Sequence, residues 1–136
     1  MKIAEVMIRS VVTLTPEQTL RDAVELLRSK HIRHLPVVED SRLIGIVTDR
    51  DVKRATPSLL SGVDRDEYDR VLDETKIAQI MTREPMTITP ESGLKAAVKV
   101  FIDRKVGALP VVSGNKLVGI VTEIDLLKVF HGMLKD

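Results

Sequence analysis

The chain repeats itself. Pro16, Pro36, Gly45 and Asp51 recur as Pro90, Pro110, Gly119 and Asp125, each 74 residues on. Aligned without gaps, residues 7–55 and 81–129 are identical at 19 of 49 positions, far above what unrelated segments share. The strongest matches are Leu35-Pro36-Val37-Val38 with Leu109-Pro110-Val111-Val112, and Gly45-Ile46-Val47-Thr48 with Gly119-Ile120-Val121-Thr122. Duplication implies two similar units related by a pseudo-twofold axis, with similar grooves between them. At 136 residues the chain has room for two units of about 50 residues, each marginal alone. Packing their sheets together removes that weakness.

Each unit reads as strand, helix, strand, strand, helix. Val12-Thr13-Leu14 is a short stretch that Thr15-Pro16 ends. Thr19 is an N-cap candidate with Asp22 three residues on, the spacing of a capping box. Leu20, Ala23, Val24 and Leu27 then recur at helical spacing, and Leu94, Ala97, Val98 and Phe101 repeat them. The runs 35–38 and 43–47 read as buried strands joined by the turn residues Glu39-Asp40-Ser41-Arg42, with Ser113-Gly114-Asn115-Lys116 in the second copy. A second helix starts after Thr48 and after Thr122. The fold class expected is α/β, in its α+β form. Residues 1–56 make the first repeat, 57–75 a connector and 76–136 the second repeat. The connector is so charged between Asp64 and Asp73 that a solvated helix is expected there.

Composition excludes much. Lys plus Arg is 21 and Asp plus Glu is 20, so a nucleic-acid clamp, which shows a basic excess, is not expected. The aromatic residues are Tyr68, Phe101 and Phe130, too few for base-stacking platforms. Cysteine is absent, so disulfides and thiol chemistry are excluded. No apolar run has the roughly 20 residues of a membrane helix, and the first residues lack a signal peptide's apolar core. A cytoplasmic protein is the expectation. The phosphate-loop, dinucleotide-fold, zinc-protease and hydrolase-elbow motifs are all missing, so no enzyme is expected and no catalytic residue is assigned. His31 and His34 straddle a helix end and a strand start without carboxylates at ligand spacing, so no metal site is assigned.

One polar pattern does recur: Thr48-x-x-Asp51 and Thr122-x-x-Asp125. Each Thr closes a buried strand and each Asp falls in the first turn of the next helix. Free N–H groups at a helix start and a Thr hydroxyl can hold phosphate oxygens. A carboxylate one turn in can accept from both ribose hydroxyls. Gly45 and Gly119 would permit close backbone approach. The same residues also make a helix cap and nothing more. Both readings stand on the sequence.

The doubled Leu-Pro-Val-Val, turn, Gly-Ile-Val-Thr-x-x-Asp order resembles the cystathionine-β-synthase (CBS) domain, present as a tandem pair. The stretches His31 to Val38 and Thr48 to Ala55 are similar to the CBS pair of bacterial acetoin-utilisation-type proteins. The resemblance implies a regulatory module that binds an adenosyl ligand (AMP, ADP or ATP) in clefts between the repeats and signals to a partner protein. It implies that Thr48, Asp51, Thr122 and Asp125 contact phosphate and ribose. It implies that Arg33, His34, Gly107 and Ala108 line the clefts, as do Val12 and Met86, and leaves open which pre-strand pair serves which motif. An S-adenosylmethionine or NAD sensor, and a dimerisation module with degenerate clefts, are the alternatives; a nucleotide hydrolase is a weaker one. The first copy carries Arg33, His34, Arg50, Lys53 and Arg54 where the second has Gly107, Ala108, Ile124, Leu127 and Lys128. Phosphate favours the cationic set. With few aromatics, adenine would lie between aliphatic walls. The last helix is apolar around much of its circumference, and a homodimer is expected through it.

Overall fold

The computed structural model describes residues 1–136 and has two compact units, Val12–Glu84 and Met1–Val11 with Pro85–Asp136. The first unit contains α1 (Leu20–Lys30), β1 (His34–Glu39), β2 (Arg42–Thr48), α2 (Asp49–Ala55), α3 (Arg65–Glu74), α4 (Ile77–Ile80) and β3 (Thr82–Arg83). The second contains a 3₁₀ turn (Ile3–Glu5), α5 (Leu94–Asp103), β4 (Ala108–Ser113), β5 (Lys116–Thr122) and α6 (Glu123–Met133). The fold is mixed α+β, and the same plan occurs twice.

The hairpins form as their turn residues require. β1 and β2 pair antiparallel, with Glu39 opposite Arg42 across a two-residue turn. Asp40 and Ser41 both have positive φ, 51° and 67°, the handedness that matches strand twist. In β4–β5 only Gly114 has positive φ, 64°, so the second hairpin turns differently with the same loop length. The stretch at Val12-Thr13-Leu14 forms one parallel bridge rather than a strand. Leu14 N–H donates to Pro36 O at 2.9 Å and Val38 N–H donates to Leu14 O at 2.8 Å. Pro16, two residues on, has no N–H with which to continue the ladder. Ile88 repeats the bridge with Val111.

Leu20 and Ala23 of α1 join Leu14, Leu35, Val37, Val47, Val52, Leu72 and Ile77 in one buried core. Leu72 belongs to the charged connector. Its helix, α3, is therefore not simply solvated: Tyr68, Val71 and Leu72 lie at helical spacing and pack on that core. The charges around them hide this short stripe in the sequence. Arg21 of α1 bonds to Asp69 at 3.1 Å and to Asp73, tying α3 down. The Arg21 hydrogen bond holds the Asp73 carboxyl below its ordinary range. Its contribution is therefore present at neutral pH and is lost as pH falls through that lowered value.

The two units are built by a reciprocal use of short segments. Residues 77–81 dock in the Val12–Glu84 unit: Ile77 N–H donates to Gln18 O at 2.8 Å and Ala78 N–H to Pro16 O at 3.0 Å. Residues 3–7 dock in the other unit with the same bonds, Ile3 N–H to Ser92 O at 2.8 Å and Ala4 N–H to Pro90 O at 2.9 Å. Ile3 and Ile77 are fully buried. The 74-residue offset thus extends to Ile3-Ala4 and Ile77-Ala78. Residues 1–11 precede the first repeat's helix in sequence but pack with the body that contains β4 and β5.

Gly45 and Gly119 serve this docking. A Cβ at Gly45 would lie 2.7 Å from Met81 Sδ and 2.9 Å from Thr82 O; at Gly119 it would lie 2.7 Å from Met7 Sδ and 3.0 Å from Ile8 O. The close approach expected for a ligand is taken by the chain itself. No helix is long and apolar enough to cross a membrane.

Candidate functional site

Five of the candidate residues fall in each unit. In Val12–Glu84, β1 and β2 bring His34 directly opposite Thr48. The Arg33 carbonyl accepts from Asp49 N–H at 3.0 Å, so the turn before β1 meets the start of α2. In the other unit Ala108 lies opposite Thr122, and the Gly107 carbonyl accepts from Glu123 N–H at 3.1 Å. Within each unit, then, the pre-strand pair adjoins the Thr-x-x-Asp motif of its own repeat. Val12 packs on its unit's core, whereas Met86, its counterpart, is 39% exposed.

Both motifs form capping boxes. Thr48 N–H donates to Asp51 Oδ2 at 2.9 Å, and Asp51 N–H donates to Thr48 Oγ1 at 3.2 Å. Thr122 and Asp125 repeat this at 2.8 and 3.3 Å, and the Thr122 hydroxyl also donates to Asp125 Oδ2 at 3.0 Å. Thr19 and Asp22 make the same box at the head of α1. Thr-x-x-Asp by itself is therefore a way of starting a helix in this chain.

The caps decide which groups remain for a ligand. At α2 the first N–H groups are already used: Thr48 by Asp51, Asp49 by Arg33 O, Arg50 by Asp49 Oδ1 at 3.0 Å, and Asp51 by Thr48. The expectation that free N–H groups there would hold phosphate does not fit this geometry. The side chains remain. Only Oδ2 of Asp51 and of Asp125 is engaged, so each carboxylate keeps Oδ1 without a protein partner. Asp51, Asp125, Thr48 and Thr122 are half-buried. Arg33, Arg50, Lys53 and Arg54 are exposed, and none is in an ion pair. Ala108 is buried, and Ile124 and Leu127 are exposed apolar residues at the positions of Arg50 and Lys53. One unit thus offers a carboxylate beside cations, and the other a carboxylate beside apolar side chains. No cluster of three or more His, Asp or Glu side chains is placed to hold a metal ion.

The chain is similar to known proteins in sequence and in fold. A CBS domain-containing protein of Dictyostelium discoideum is 34% identical over 135 residues, 98% of this chain and 93% of that protein. An uncharacterized protein of Methanocaldococcus jannaschii is 31% identical over 136 residues, and the chain spans only 41% of its length. Among solved structures, a Vibrio cholerae protein described as an acetoin utilization protein (AcuB) has a TM-score of 0.80 at 30% identity, covering 98% of this chain and 92% of that one. CBSX2 in complex with AMP has a TM-score of 0.81 at 25% identity, with 97% of both chains covered. The CBS domain pair of protein MJ0100, in complex with 5′-methylthioadenosine and S-adenosyl-L-methionine, has a TM-score of 0.79 at 25% identity, with 98% of both covered. The CBS domain family matches residues 3–58 and 77–132, the two halves of the duplication, so the chain belongs to the CBS domain family and carries two copies of the domain.

Proposed function

We propose that this chain is a regulatory module that binds an adenine nucleotide (AMP, ADP or ATP) and passes its occupancy to a partner protein. The observation that carries the reading is the unpartnered Oδ1 of Asp51 and Asp125, each fixed by a capping box at the end of a buried strand. A carboxylate held in that way accepts from both ribose hydroxyls without reorganising, which lowers the cost of binding. Similarity to structures complexed with AMP and with S-adenosylmethionine supports the ligand class. Arg33, Arg50 and Lys53 supply the phosphate's counter-charge beside Asp51; His34, opposite Thr48, completes that side. Gly107 and Ala108 leave the Asp125 side uncharged, and Met86 and Val12 contribute apolar wall. The reading assigns no reaction.

Thermal shift and calorimetric titration with AMP, ADP, ATP, adenosine, NAD and S-adenosylmethionine test it. Binding of a native-state ligand raises stability by RT ln(1 + [L]/Kd). A phosphate-bearing ligand binds more tightly than adenosine, and its affinity falls as salt rises, because exposed charges are screened over about 8 Å at physiological ionic strength. No stabilisation by any of the six removes the ligand reading. Equal, salt-independent binding of adenosine and ADP removes the cationic cluster from it.

A second reading, a dimerisation module, rests on α6. The helix buries no residue, and Ile124, Leu127, Phe130 and Met133 are 56–62% exposed. Exposed apolar side chains gathered on one helix mark an interaction surface when they form a large patch. A homodimer through α6 has a mass near twice 15.2 kDa by light scattering. Phe130→Glu shifts it to the monomer, because the interface then buries an unpaired carboxylate. A monomeric parent chain at micromolar concentration ends this reading and leaves ligand binding untouched.

A further inference from the structure

The segment at residues 1–11 is covalently joined to one unit and docked in the other. Its contacts are specific. Ile3 and Ala4 donate to Ser92 and Pro90, Ile8 exchanges two hydrogen bonds of 2.9 Å with Ile120, Ile3 and Met7 are buried, and the Met7 thioether fills the space above Gly119. The chain passes between the units a second time at Glu84–Pro85. Glu84 there has φ 48°, a left-handed conformation that costs a non-glycine residue free energy. The strain sits at the crossover itself, and Pro85 further restricts the residue before it.

These two observations point one way. We propose that the chain exchanges this segment between two copies, residues 1–11 of one copy filling the groove on Pro85–Asp136 of the other while the chain straightens at Glu84. Every bond that docks the segment in one chain forms equally between two. The balance is then set by the strain at the hinge and by the effective concentration that the covalent link provides. Short strained hinges invite such exchange. The partner is a second copy of this chain, because the groove fits the segment's own Ile-Ala-x-x-Met pattern, which occurs again at residues 77–81.

The chain has no cysteine, so introduced thiols react only with each other. Lys2 and Gly93 face each other as an antiparallel pair, and a Cβ at Gly93 meets nothing closer than 4.0 Å. Lys2→Cys and Gly93→Cys are placed on separate chains, which are unfolded, mixed, refolded and oxidised. The expected result is a disulfide-linked dimer whose fraction rises with protein concentration. Glu84→Pro, which cannot adopt a positive φ, raises that fraction at least fivefold, and Glu84→Gly, which relieves the strain, lowers it. The linked dimer persists in the Phe130→Glu background, which separates the exchange from association through α6. The control is one chain carrying both cysteines, which closes its own disulfide. If that control closes while the mixed chains give no linked dimer with either the native or the Glu84→Pro hinge, the exchange does not occur. Loss of the linked dimer in Phe130→Glu likewise overturns it.

Discussion

Ile77→Ala lowers the free energy of unfolding by about 2–5 kcal/mol, and Ile3→Ala does the same in the other unit. Both side chains are fully buried, and each anchors a segment of only a few residues. Truncation removes the transfer free energy of the lost methylenes and leaves a cavity that a docked segment, hydrogen-bonded on both sides of the anchor, cannot close. The damage spreads beyond the site. Once Ile77 no longer holds α4, Met81 loses its place over Gly45 and β3 loses its pairing with Gly45 and Ile46. Urea melts of the two variants measure the effect, and the slope reports whether a segment has already detached in the native state. A loss under about 1 kcal/mol in both variants would show that the segments are ornaments on two units that stand without them.

Asp51→Ala and Asp125→Ala each weaken adenosyl-ligand binding by about ten- to a hundredfold, the effect of losing a charge-assisted hydrogen bond worth roughly 1.5–3 kcal/mol. Each substitution also removes the acceptor of the Thr48 or Thr122 N–H, at about 0.5–2 kcal/mol of stability. Affinity and stability therefore fall together, and a melt alone cannot separate cap from ligand contact. Asp22→Ala supplies the separation. It breaks an equivalent box at the head of α1, so it lowers stability by a similar amount and leaves ligand affinity unchanged. Calorimetric titration of the three variants, each corrected for its folded fraction, decides the matter. Unchanged affinity in both Asp51→Ala and Asp125→Ala would leave these carboxylates as caps only.

Much of the fold is written locally. The Leu-Pro-Val-Val and Gly-Ile-Val-Thr runs, the turn residues between them and the apolar spacing of α1 and α5 each report a contact within a few residues of themselves. Such contacts leave a period or a turn signature that can be read along the chain. The box at Thr19 was legible for the same reason. The connector helix was misjudged in part because its buried stripe is only Tyr68, Val71 and Leu72, too short to outweigh the charges between them. The strand expected at Val12 shrank to one bridge because a proline on either side of the pairing removes donors that periodicity does not count.

The sequence by itself determined that there are two copies of one plan, which residues would be buried in each, and that Thr48, Asp51, Thr122 and Asp125 recur together. In the tertiary structure those groups form helix-capping boxes. Whether Gly45 and Gly119 make room for a ligand or for a methionine depends on residues 36 and 112 positions away, and no local pattern carries that distance. The docking of residues 1–11 on the second repeat is of the same kind. The segment carries the same Ile-Ala-x-x-Met pattern as residues 77–81, and the sequence pattern by itself does not say which unit it joins. The carboxylates show the limit most directly. A capping box and a ribose contact ask for the same residues at the same spacing; in the folded chain Oδ2 is bound to the backbone, and Oδ1 has no protein partner.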